Sequence, residues 1–190
     1  IKFDHNLSEY FYKRGCSALA DSKSDLIMDG HFATNSAVIP LQNPLWDYAC
    51  QLYSKPGMEA ALLVLQDDHG ADINLILQAL WLASESKVWS KACIPNDYGK
   101  WVTEQVIPLR KMRRRLKTDW VAPRGVGFED FRQHVKGLEL KAEQYALAML
   151  FTHIKQSKTA AESIALNLIP LSDYLNISSV NFKPLIALLS

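Results

Sequence analysis

The segment Ile73–Ser84, INLILQALWLAS, constrains the fold of this chain more than any other. Ile73, Leu75, Ile76, Leu77, Ala79, Leu80, Trp81, Leu82 and Ala83 leave almost no polar position in it. Successive helical residues are ~100° apart, so a helix of this composition has no wet face and needs neighbours all round. Asp72 stands where a side-chain cap would start it, and Gly70 just before can end a preceding helix in the left-handed conformation. The expectation is an all-α fold: a compact bundle of about six helices with this one at its centre.

The rest of the chain supplies the neighbours. Asn43-Pro44 reads as a helix start, with Trp46, Ala49, Cys50 and Tyr53 at helical spacing, and Pro56-Gly57 ends that helix. A second helix is expected from Met58 to His69, with Ala61, Leu62, Val64 and Leu65 inward. A fourth, from Asn96 to Lys117, carries the stripe Val102, Val106, Leu109, Met112 and Leu116, with Pro108 expected to bend it. A fifth, from Phe128 to Ser157, carries the seam Phe131, Val135, Leu138, Ala142, Tyr145 and Met149. The loop 118–127 makes these two a long antiparallel helical hairpin. Thr159-Ala160-Ala161-Glu162 has capping-box spacing, and Pro170 and Pro184 are expected to interrupt the tail.

Residues 1–42 have weak periodicity and read as an N-terminal arm or extension, and 43–190 as the helical domain. The chain begins with Ile, so its start reads as a boundary or a processed end, with Met28 another possible beginning. The remaining bulk properties narrow function chiefly by exclusion. A net charge of +1 gives no global field for nucleic acid or an acidic substrate. Cys16, Cys50 and Cys93 are three and far apart, which argues for a reducing, cytoplasmic setting rather than a disulfide framework. The apolar runs are too short for a transmembrane segment.

Asn43-Pro44-Leu45-Trp46, Tyr53 with Pro56-Gly57, Leu65-Gln66-Asp67 with Gly70 and Asp72, Asn74-Leu75 and Trp81 form one block of a pattern. Pro108-Leu109-Arg110 with Arg114, then Glu139-Leu140 and Ala142-Glu143, form its later blocks. Together, over about residues 43 to 155, they resemble an uncharacterised bacterial family, a domain of unknown function. The resemblance implies an all-helical domain; no activity is established for the family.

Several residue groups are candidate sites. Asp68 and Asp72 have the DxxxD spacing with which isoprenoid synthases hold Mg²⁺, but Gly70 between them breaks the helix the spacing needs, and no second such motif occurs. A helix–turn–helix connection with Asp72 as cap is the plainer reading. Six cations stand among Arg110, Lys111, Met112, Arg113, Arg114, Arg115, Leu116 and Lys117. Antiparallel pairing would place Arg114 near Glu139 and Arg110 near Glu143 as structural ion pairs. That leaves Lys111, Arg113, Arg115 and Lys117 as an anion-binding patch, with Trp120 and Arg124 close by. Gln66, Asp67, Asp72, Asn74 and Gln78 could form a buried polar cluster. The five histidines form no HxxxH or ExxH pair, so no metal and no cofactor is expected. Nucleophile elbows and phosphate-binding glycine loops are also missing from the sequence.

The leading expectation is a non-enzymatic interaction or adaptor protein with a protein partner. It rests on Trp46, Trp89, Trp101 and Trp120, more tryptophans than one core readily buries. Nucleic-acid or acidic-lipid binding through the basic run is the first alternative. An isoprenoid or lipid-pocket enzyme using Asp68 and Asp72 is the second.

Overall fold

The computed structural model describes residues 39–120, 125–154, 158–159 and 164–189. The fold is all-α. Helices α1 (Pro44–Tyr53), α2 (Met58–His69) and α3 (Ile73–Ser84) are followed by a two-residue strand β1 (Lys87–Val88) and the short α4 (Tyr98–Trp101). After a π-helical turn, Val102–Val106, come α5 (Ile107–Thr118) and the long α6 (Val126–Thr152). Strand β2 (Lys158–Thr159) pairs antiparallel with β1, and α7 (Ile164–Leu175) and α8 (Lys183–Ala187) close the chain. The expected arm lies almost wholly in 1–38, outside the described residues, as do Cys16, His5, His31 and Arg124.

Local chemistry sets the boundaries. The Asn43 side chain accepts from the Trp46 amide at 3.0 Å and opens α1. Gly70 ends α2 at φ 67°, a conformation that costs a glycine nothing. Asp72 then accepts from the Asn74 amide at 3.0 Å to open α3. α3 is buried from Ile73 to Leu82 and packs against α1, α6 and α7, which is the central position its composition demands.

Four expectations need correction. Pro108 brings a π turn instead of a simple bend. It has no amide hydrogen for the Glu104 carbonyl, and Ile107 reaches back five residues to the Val102 oxygen. Pro170 does not interrupt the tail; it sits inside α7. Val64 is exposed. The largest correction concerns the hairpin. Val106 at the end of the π turn and Leu116 on α5 are buried, and so are Val135, Ala142 and Met149 on α6, but Met112, Phe131 and Leu138 are 47, 53 and 55% exposed. The seam positions of Met112 and Leu138 are filled by the next residues along, Arg113 and Glu139. The true seams run 106, 109, 113, 116 and 135, 139, 142, 146.

Candidate functional site

Arg113 and Glu139 meet where two seams that read as apolar would have met. The guanidinium engages the carboxylate through Nε and, at 3.2 Å, through Nη2. Arg110, one turn earlier, donates to Glu143 at 2.6 Å and lies 3.6 Å from Glu139. Rising numbers on α5 thus pair with falling numbers on α6, which establishes the antiparallel sense of the hairpin. Arg114 does not face Glu139. It stands 100° round the helix from Arg113 and pairs with Asp67 on α2.

These ion pairs border a small cavity of mixed lining, with Tyr53, Gln66 and Asn74 on its polar side and Trp46, Leu77 and Leu147 on its apolar side. Burial raises the Glu143 carboxyl above the ordinary glutamate range; Arg110 opposes the shift and the Glu139 charge adds to it. Burial also raises Asp72, which accepts from the Tyr98 hydroxyl at 2.9 Å. The Tyr98 hydroxyl is held well above its usual range, first by burial and then by the Asp72 charge, so it serves as a donor. The cavity volume is about 30 Å³, room for one or two waters. Ligand sites for small molecules are on the order of 300 Å³ or more. The cluster therefore can fix the register of α5 on α6, and the cavity beside it is of a size for water.

The five residues expected as one polar cluster are distributed among several roles. Gln66 and Asn74 line the cavity, Asp67 faces Arg114, and Asp72 caps α3. Gln78 belongs to a second, deeper network. Its amide donates to the Cys93 carbonyl at 3.0 Å and the Leu150 carbonyl at 3.4 Å, and its oxygen accepts from Trp89 Nε1 at 3.1 Å. Asn167 on α7 completes this knot. It accepts from the Trp89 amide at 2.8 Å and donates to the carbonyls of Ala79 (3.0 Å) and Lys87 (2.9 Å). Asn167 escaped the sequence reading although it carried the signal that marked Gln78, an amide among aliphatic residues in an apolar helix. Asp68 is exposed at the end of α2, turned away from the role Asp72 plays. Among the described residues no three His, Cys, Asp or Glu side chains gather as a metal site.

The four residues of the expected basic patch are likewise divided among different surroundings. Arg113 is inside the hairpin, Lys117 is half-buried, and Arg115 pairs with Asp119 at 3.3 Å. Lys111 remains exposed. Of the four tryptophans expected to outnumber the core, Trp46 and Trp89 are fully buried. Trp101 donates to the Ala142 carbonyl at 2.9 Å and rests on Tyr145. Trp120 alone of these is exposed, at 59%.

What the inward charges leave outside is an apolar stripe. Met112 precedes Arg113 by one residue and Leu138 precedes Glu139 by one. A step of one residue turns each helix ~100°, and in an antiparallel pair both steps lead to the same side. Phe131, seven residues before Leu138, continues the stripe two turns nearer the loop. Val126 and Trp120 lie at that end, both exposed.

The chain belongs to the family described as "Protein of unknown function (DUF2390)", whose profile matches residues 44–150, more than half of its length. This agrees with the resemblance read from the sequence. The matched residues run from α1 nearly to the end of α6, so they include both faces of the hairpin. No curated protein and no solved structure matches the chain.

Proposed function

We propose, from the geometry, that this is a non-enzymatic interaction protein that docks a protein partner on the outer face of the α5–α6 hairpin. One observation carries the reading. Met112, Leu138 and Phe131 have core-type spacing yet lie in solvent, because Arg113 and Glu139 occupy the seam. Scattered exposed apolar residues are ordinary, but a row along one face of two packed helices marks a contact surface. Among the described residues no helix is long and apolar enough to cross a membrane.

A photo-crosslinking residue placed at Leu138 in the cells that make the protein should capture a discrete partner; one placed at exposed Gln51 on α1 should not. That partner, identified by mass and remade, should bind the purified chain, and Leu138→Glu should weaken binding at least tenfold. Equal capture from both positions, or binding indifferent to Leu138→Glu, would remove the hairpin face from the account.

A further inference from the structure

The charges beside the stripe point to the chemistry of what covers it. Arg115 lies three residues after Met112 on α5, and Lys141 three residues after Leu138 on α6. Residues so spaced are surface neighbours on a helix. Lys111, four residues before Arg115, is that residue's neighbour on the same bank of α5. Lys111 and Lys141 are exposed and make no ion pair among the described residues. The pair between Arg115 and Asp119 is open to solvent, with 75% and 50% of the side chains exposed, and such a pair exchanges partners at little cost. The apolar row is thus bordered by cations on both helices over the stretch from Leu138 to Lys141.

We infer that the occupant of this face is an amphipathic helix of another protein with apolar residues on one side and acidic residues along both edges. This rests on the docking reading above and adds the partner's charge and shape. Two antiparallel helices offer a shallow groove between Met112 and Leu138, and a third helix laid along it buries anchors at i, i+3, i+4 and i+7. Acidic residues flanking those anchors would reach Lys111 and Arg115 on one bank and Lys141 on the other. Basic edges would meet like charge and be rejected.

The test uses two designed helical peptides of about three heptads, leucine at a and d, one with glutamate and the other with lysine at e and g. Like charges at those edges keep each peptide from pairing with itself. Binding to the intact chain is read by fluorescence anisotropy. The glutamate peptide should bind at least tenfold more tightly than the lysine peptide, and added salt should shrink the difference. The double variant Lys111→Glu/Lys141→Glu alters only exposed positions and should reverse the preference. Equal binding of both peptides would overturn the acidic-edge inference while leaving docking on this face in place. Three outcomes overturn it outright: binding of neither peptide, a chain that sediments as a dimer until Leu138→Glu separates it, or binding of phosphatidylserine vesicles and not of the peptides.

Discussion

Glu139→Ala should lower the unfolding free energy by about 3 kcal/mol, among the largest single losses available in the α5–α6 seam. The Glu139 side chain is 6% exposed and receives Arg113 through two nitrogens, with Arg110 3.6 Å away. Removing the carboxylate leaves the Arg113 guanidinium, about a fifth exposed, without its partner and Arg110 with Glu143 alone, beside a gap lined by Leu147 and Trp46. Much of the cost is the stranded positive charge, since an ion pair taken out of water roughly breaks even with hydrocarbon. The double variant Arg113→Leu/Glu139→Leu should therefore recover most of the loss, to within about 1 kcal/mol of the natural chain. Urea titrations of the three proteins at one pH check this. If the double variant is as unstable as the single one, burial of unpaired charge is the wrong explanation.

Gln78→Met should cost a similar amount, about 3 kcal/mol, for a different reason. Methionine keeps the length of the side chain and fills most of its space, so little cavity forms. What disappears is the acceptor for Trp89 Nε1 and the donor to the Cys93 carbonyl, in a site with no exposed surface at all. Each buried polar group left without a partner costs about 1–3 kcal/mol. Trp89 and Gln78 also couple. In a Trp89→Phe background the indole hydrogen is already gone, so Gln78→Met should then cost at least about 1 kcal/mol less. Additive losses in the cycle would show that the indole bond contributes nothing. For a chain of this length the single variant should melt roughly 10 °C lower.

The comparison of these two networks shows what could be read from the sequence. α3 was legible because its pattern has no alternative: a helix apolar all round has only one place to be. The caps at Asn43, Gly70 and Asp72 were legible because they are local, set by one side chain or one positive φ. The contact between Arg110 and Glu143 followed from an antiparallel hairpin with charges at matching spacing. The face of each hairpin helix was not legible. From Leu109, the next inward residue is three or four places on, and Met112 outranks Arg113 on hydrophobicity; from Val135, Leu138 outranks Glu139 in the same way. Both choices fail together, because Arg113 and Glu139 neutralise each other and a single-helix pattern sees only one of them. The π turn at Val102–Val106 adds one residue to the helix before this point and advances the phase accordingly. No hydropathy pattern announces it, although Pro108 marks where it falls. Asn167 was hidden by distance: the groups it joins, Ala79, Lys87 and Trp89, lie about 80 residues earlier.

Everything proposed for function depends on which way α5 and α6 face. The most direct test is therefore the unfolding free energy of Met112→Ser/Leu138→Ser. With both side chains in solvent, stability should change by no more than about 0.5 kcal/mol for each substitution. If instead the double variant loses about 4 kcal/mol or more, as two buried aliphatic side chains would require, then Met112 and Leu138 are core residues, the stripe is not a surface, and the docking account is wrong.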